Sequence, residues 1–457
     1  MIAIIGGGIS GLSAAWFAQK RGLEYALFEA SQRWGGKLQT ERVGLADGSE
    51  FVVEGGADSF LATKPWAAAL ARELGLGERL LGTNDTLRTI YVLHQGQPVA
   101  LPEGMQLIVP TKLWPFLKSP LLSLPGKLRM GLDWLIPPRT DPTNKDETVG
   151  SFVRRRFGQE ALERLGEPLL SGIYSGESER QSLLATFPRY RQLETEFGSV
   201  IRGTLAQKAK TQTNGKRPAM FQSFPGGTQE LVDALVSKLA GEKRLKTSVT
   251  ALSQTQKGYT LTLSDGTTLT ADHVIVTTPA SVAAKLIQPF APRVAEQLEL
   301  IRAVSTGTLS LGFRTEDIKR PLNGFGMVIP LHEKRPINAL TISSIKFPSR
   351  APDDHALVRV FFGGSRTPET LEKTDEEILA MAKEQLLDIL GITVEPLFQR
   401  IFRWHNANPQ YDVGHLDRID TLEKSLPPGL HLAGCAYRGV GIPDCIHQAE
   451  ETVKSLP

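Results

Sequence analysis

The sequence has little of what marks several protein classes. It holds two cysteines, Cys435 and Cys445, among 457 residues. That excludes a disulfide scaffold and a CxxC metal cluster, and it suits a chain kept in a reducing cytosol. No apolar run reaches about 18 residues, so no membrane-spanning helix is expected. The first residues lack a basic segment ahead of an apolar one, so no secretory signal is expected either. Charge of one sign is also missing: 52 Lys+Arg against 49 Asp+Glu leave a net charge of +3. That is too small for a nucleic-acid footprint. There is no Ser/His/Asp order, no HExxH and no CxxC pair, so neither nucleophilic hydrolysis nor a protein-held metal is expected. No repeat of fixed period appears. The apolar share of 41% and the charged share of 22% are those of an ordinary globular chain. The length points to two or three domains.

What is present begins at residue 2. Ile2–Ile5 is a short apolar strand, and Gly6, Gly8 and Gly11 follow it in the spacing GxGxxG. Residues 12–19 carry helical spacing, and Tyr25–Phe28 is a second strand, ending at Glu29. This order of strand, tight turn, helix, strand and acid is that of a dinucleotide-binding unit. Gly6 permits the turn, Gly8 lets backbone approach a pyrophosphate, and Gly11 lets helix and strand pack closely. The helix N-terminus offers N–H groups to the phosphates, and Glu29 can accept from a ribose hydroxyl. These residues alone leave FAD and NAD open.

Arg33-Trp34-Gly35-Gly36-Lys37 comes directly after. The glycine pair can bring backbone against a second part of an extended cofactor, with Arg33 and Lys37 able to meet its phosphates. Glu54-Gly55-Gly56-Ala57-Asp58-Ser59-Phe60 lies beyond. Near the other end, Leu430–Gly434 reads as a strand stopping at a glycine. Gly439-Val440-Gly441-Ile442-Pro443-Asp444-Cys445-Ile446 then opens a helix that runs through Val453. That helix start presents a positive dipole end, which would stabilise the negative N1–C2=O edge of a reduced flavin.

Several segments carry a family likeness. They are Glu29-Ala30-Ser31, Gly35–Lys37, Gly56–Leu61, Glu167–Gly176, Arg403–Asn406 with Pro409-Gln410-Tyr411, and Gly439–Ile446. Together they resemble the oxygen-dependent protoporphyrinogen/coproporphyrinogen III oxidase family of the amine oxidase superfamily. The likeness spans residues 2 to about 450 and is strongest to the Gram-positive-type coproporphyrinogen III oxidases. Cys435 and Ala57 depart from the family pattern.

The resemblance implies an α/β fold, with a glutathione-reductase-like FAD-binding Rossmann domain interleaved with a mixed-sheet substrate domain and a helical insert. The expected divisions are 1–84, 222–285 and 401–457 for FAD, and 286–400 with parts of 58–90 and 201–221 for substrate. The helical segment is 91–200. The resemblance also extends the cofactor contacts to Ser10, Ala30, Gly56, Ala57, Val249, Gly434, Gly441 and Ile442. Lys64, Arg88 and Gly172 would face the substrate. The implied reaction is six-electron oxidation of a porphyrinogen, coproporphyrinogen III to coproporphyrin III, in haem biosynthesis. Noncovalent FAD would be the hydride acceptor, O2 the terminal acceptor and H2O2 the by-product, with no catalytic side chain. Protoporphyrinogen IX is the alternative substrate. A flavin amine oxidase and a non-redox binding protein of the same fold are more distant readings.

Three further expectations concern surfaces. Leu107–Pro138 mixes Trp114, Phe116 and Trp134 with Lys112, Lys118, Lys127 and Arg129. That mixture suits either a membrane interface or helices packed round a cavity. The run Arg154-Arg155-Arg156 reads as a solvated helix face. The chain is expected in the cytoplasm, peripheral on the inner face of the membrane if that segment docks. Contact with another haem-pathway enzyme is compatible with this, as are a monomer and a homodimer.

Overall fold

The apolar run Ile2–Ile5 forms a strand buried at all four positions, as a strand covered on both faces must be. It pairs in parallel with Tyr25–Phe28 and with His273–Val276. Glu242–Arg244 and Leu430–Leu432 extend this into a five-stranded parallel sheet. Parallel neighbours need crossovers, and the helix Ile9–Lys20 supplies the first. Its inner face is small (Ala14, Ala15, Ala18), so it lies close to the sheet and to the late helix Ile442–Lys454. The apolar spacing of Leu245–Leu252 reads as a strand, but the strand begins later, as Val249–Thr255. Lys246 takes a left-handed φ of 53°, and its N–H and that of Thr247 bond back to Ser31 and Glu29 carbonyls. An antiparallel meander follows, Gly258–Leu263 and Thr268–Ala271, turning at Gly266 with φ 83°.

These strands belong to one of two compact units in this computed structural model, comprising Met1–Thr83, Pro218–Arg302 and Leu416–Pro457. Residues 1–84, 86–139, 146–211 and 219–457 are described. Part of the expected 201–221 substrate segment, residues 212–218, therefore lies outside them.

The second unit, Asn84–Arg217 with Ala303–His415, is built on a seven-stranded mixed sheet. Its order is Phe398–Pro409, Ala303–Arg314, His355–Gly363, Ala339–Ile342, Gly326–Val328, Ile90–His94 and Gln97–Ala100. Only Gly326–Val328 and Ile90–His94 run parallel. Residues 90–100, at the edge of the segment read as helical, are therefore strands of this sheet. Beyond a short antiparallel pair, Met105–Gln106 with Val109–Pro110, the described part of that segment is mainly helical, including Val149–Phe157, Pro188–Phe197 and a π-helical stretch, Leu162–Ser171. Pro168 lies inside that stretch, and a proline breaks the α-helical ladder there by removing a donor and clashing with the preceding turn. The helix Asp375–Leu390 starts at a capping box formed by Thr374 and Glu377.

The arginine run corrects one expectation. It does lie on a helix, Val149–Phe157, but Arg156 is fully buried together with Asp133 and Glu194. Its Nε donates to Asp133 at 2.5 Å, and its terminal nitrogens reach the carbonyls of Ile136, Asp133 and Gly198. Asp133 also accepts from the Ser199 hydroxyl and the Ile201 N–H. Arg155 bridges Glu147 and Glu194, and Arg191 does the same. Burial pushes the Glu147 carboxyl up, but the two arginines prevail and hold it below its ordinary value. Every charge in the cluster is paired, the condition under which buried charge is tolerated. Arg156→Ala strands the buried Asp133 carboxylate, Glu194 keeping Arg155 and Arg191, and should lower unfolding stability by about 3–5 kcal/mol. Denaturant unfolding measures this, and a loss below about 1 kcal/mol would contradict the assignment.

Candidate active site

The first unit carries a cradle built on close approaches of backbone. Gly6, at φ 109°, turns the chain out of the first strand. A Cβ on Gly11 would stand 1.8 Å from the Gly6 carbonyl oxygen, so helix and turn meet where only hydrogen fits. Thr277 closes the turn from the neighbouring strand, its hydroxyl donating to the carbonyls of Ile5 and Gly6. Gly8 caps the helix Ile9–Lys20, with no side-chain capping hydrogen bond at this N-terminus. Gly8 also forms a bridge with Gly35, and a Cβ on Gly36 would lie 3.1 Å from the Gly8 Cα. The two glycine motifs of the sequence thus meet. Gly56 is pressed on the carbonyl of Lys37, where a Cβ would lie at 1.9 Å.

Glu29 sits at the tip of the second strand, its carboxylate accepting from the Gly7 N–H at 2.7 Å and the Ser31 N–H at 2.8 Å. Ala30 is the residue between these anchors. Arg33 turns toward its own loop and donates to the carbonyls of Trp34, Gly36 and Leu38. Burial lowers its pKa, with Glu29 and Glu41 opposing. It therefore braces the glycine pair. Ala57 is fixed through its carbonyl by Thr228, which also bonds the buried Glu54. Val249 begins its strand with its side chain in the core beside Ile5 and Phe28.

The late segment lies in the same cradle. Gly434, at φ 138°, faces Ser10, whose hydroxyl oxygen would be 3.5 Å from a Cβ there. Lys37 Nζ reaches Cys435 Sγ at 3.2 Å. Burial and the neighbouring Cys435 push the Cys445 thiol up to about 12, so it stays protonated. Gly441 caps the helix Ile442–Lys454, again with no capping side chain, while Ile442 is buried in the core. Asp444 stands in the first turn of this helix, and Lys64 Nζ grips both its carboxylate oxygens at 2.6 and 2.7 Å. Sequence reasoning left out this partner of Lys64, together with Thr277 and Thr228. Asp444 stood within a quoted motif, whereas no local pattern pairs it with residue 64. His447 stacks on Trp66 with ring centroids 4.1 Å apart, a structural contact.

These residues fit an anionic dinucleotide. Two helix N-termini lack side-chain caps, an acid is held by backbone N–H groups, and glycines stand where a Cβ would fill the space.

The second unit holds the other expected residues. Arg88 is exposed. Gly172 ends the π-helical stretch with helical φ and ψ of −56° and −36°, and a Cβ there would meet nothing within 4 Å. Ile173 beside it is 59% exposed. Glu167, on the same stretch, is paired with Arg366, which also donates to the Ile329 carbonyl. Burial raises the Glu167 carboxyl above its ordinary value despite that arginine.

Fold and cradle define an FAD-dependent oxidoreductase built on a dinucleotide-binding parallel sheet. The chain belongs to the flavin containing amine oxidoreductase family, whose model matches residues 9–456. It is similar to a coproporphyrinogen III oxidase of Bacillus subtilis (strain 168), 38% identical over 99% of this chain and 97% of the relative. It is 31% identical to a chloroplastic protoporphyrinogen oxidase of Oryza sativa subsp. japonica, over 99% of this chain and 87% of the relative. A solved structure from Exiguobacterium sp. 255-15, assigned as a protoporphyrinogen oxidase, matches with a TM-score of 0.87 at 33% identity. That match covers 99% of this chain and 98% of the other.

If the contact of Gly11 with Gly6 shapes the cradle, Gly11→Ala should fold with little bound flavin, read as the flavin-to-protein absorbance ratio. Full flavin content in that variant would contradict this.

Proposed function

We propose that this chain oxidises coproporphyrinogen III to coproporphyrin III, with protoporphyrinogen IX as the second candidate substrate. The observation that carries the reading is the full-length likeness to coproporphyrinogen III oxidases, 38% identical in the first case reported above. Bound noncovalently, FAD supplies hydride acceptance. The chain's own residues bind and orient. Gly6, Gly8, Gly11 and Gly36 admit the cofactor backbone, and Glu29 takes a ribose hydroxyl. The capless terminus at Gly441 faces negative charge. O2 serves as terminal acceptor, with H2O2 released.

A porphyrinogen is a broad apolar ring edged with carboxylates, so it needs an open apolar step and a few cations. Gly172 with the exposed Ile173 supplies the step. Arg88 and Lys64 are the proposed cations. Lys64 already neutralises Asp444, so its role is shared between substrate and the first turn of the late helix. Arg88→Ala should raise KM about tenfold, the value of one charge-assisted hydrogen bond, with flavin content unchanged. Lys64→Ala should raise KM and lower flavin content together. Gly172→Leu should fold normally, because the space is open, and raise KM. Side-by-side turnover of the two porphyrinogens, followed by porphyrin fluorescence and peroxide release, tests the substrate. Turnover of an amine with neither porphyrinogen oxidised would overturn the proposal.

We also infer that the chain touches an anionic membrane surface through residues 107–135. No helix among the described residues is long and apolar enough to cross a membrane. What supports surface contact is the exposure of Leu113, Trp114, Leu124, Leu128 and Leu135, at 67–79%. Cations flank them: Lys118 lies over the Trp114 ring and Arg202 over Trp134, each at 5.3 Å. Apolar side chains ringed by basic groups are what an interface of anionic headgroups takes. The enzyme should sediment with phosphatidylglycerol vesicles and stay free of phosphatidylcholine vesicles. Leu113→Ser with Leu128→Ser should abolish sedimentation without changing turnover in detergent. Unchanged sedimentation would refute the contact.

A further inference from the structure

The turn between Ile90–His94 and Gln97–Ala100 holds a group of side chains that neither the cofactor nor the substrate reading uses. Gln95 and Gly96 both take left-handed conformations, φ 52° and 72°, as a tight two-residue hairpin requires. Their N–H groups point at one carboxylate: Gln95 donates to Glu333 Oε1 at 2.7 Å and Gly96 to Oε2 at 3.0 Å. Glu333 ends the short turn Leu331–Glu333, and its side chain is 10% exposed. His332 precedes it, with Nε2 3.6 Å from Glu333 Oε1. His94 completes the group, and one ligand atom from each of the three lies within 4.8 Å of the others.

We propose that His94, His332 and Glu333 form a binding site for a divalent transition-metal ion of the zinc class. The donor set of two imidazoles and one carboxylate is one that such ions take, with water completing the shell. Ligand atoms about 2.0–2.1 Å from a common tetrahedral ion stand about 3.4 Å apart, which the separation of His332 and Glu333 already approaches. The carboxylate is oriented beforehand by two backbone N–H groups, the arrangement that second-shell donors give a metal ligand, and each oxygen retains a lone pair. Two arginines near the group have partners of their own: Arg164 is paired with Glu160, and Arg335 with Asp388.

The site would also have a mechanical effect. The turn Leu331–Glu333 packs against the π-helical stretch that ends at Gly172. An ion there would clamp the hairpin to this turn and stiffen the anchor of that stretch.

The test is a titration of the FAD-loaded enzyme, stripped by chelator, with zinc(II) in competition with a chromophoric chelator at neutral pH. One zinc per chain is expected, with affinity at least about tenfold weaker in His332→Ala and in Glu333→Gln. His332 is 40% exposed on the side chain, so its loss should leave the fold intact, and a normal flavin spectrum serves as the check. Zinc should also slow amide exchange at Gln95 and Gly96. No zinc uptake, or uptake unaffected by His332→Ala, would overturn the proposal. So would uptake lost in His447→Ala instead, since His447, Glu450 and Glu451 form the other such group among the described residues.

Discussion

The cofactor unit rests on one distance, that between the Cα of Gly11 and the carbonyl of Gly6. Because no side chain fits between them, the helix Ile9–Lys20 starts at the mouth of the first strand with its N–H groups facing outward. Thr277 holds the same carbonyl from the next strand, so turn, helix and sheet share a single point of contact. The second glycine pair then reaches Gly8, and Gly56 reaches Lys37. Lengthening the first contact by the size of a methyl group would move all of these, since close-packed backbone has no soft element to absorb the shift.

The two units meet the demands of polar chemistry differently. In the first, much of the charge is handled by backbone: beside the Lys64–Asp444 pair, Glu29 and both helix termini are set by main-chain geometry, which is unchanged when a ligand alters its own charge. In the second, buried arginines and carboxylates neutralise one another, and Arg156 is held through more donors than a solvated arginine would use. Such a network fixes the positions of the helices that carry it, because each member is costly to strand. The π-helical stretch ending at Gly172 sits in this unit, anchored by the pair of Glu167 and Arg366.

Much of the cradle was legible in the sequence because its determinants are local. The GxGxxG spacing, the Gly35-Gly36 pair and the Gly-Pro start of the late helix are each set by backbone requirements within a few residues. The helix Asp375–Leu390 follows from its periodicity and the capping box of Thr374 and Glu377. What escaped was pairing across the chain. Nothing near residue 64 announces Asp444, and nothing near Arg156 announces Asp133, so an arginine run looked solvated. Likewise His94 and His332 lie far apart in sequence, and only the sheet that sets Ile90–His94 beside Gly326–Val328 brings them near. Strand ends also drifted where a turn residue, such as Lys246, interrupted an apolar run.

Arg21, just past the first helix, donates to the carbonyls of Val453 and Leu456, 432 and 435 residues further along. The strand Leu430–Leu432 and the helix Ile442–Lys454 close the same unit. During synthesis the early strands and helix therefore emerge long before the segments that complete their sheet and the opposite wall of the cradle. The mixed-sheet unit has time to form in that interval, while the early residues wait with an uncovered apolar face. Flavin capture is then an event of the finished chain, and a ribosome that stops short of the last strand releases a protein exposed to chaperones and proteases rather than a partly active enzyme.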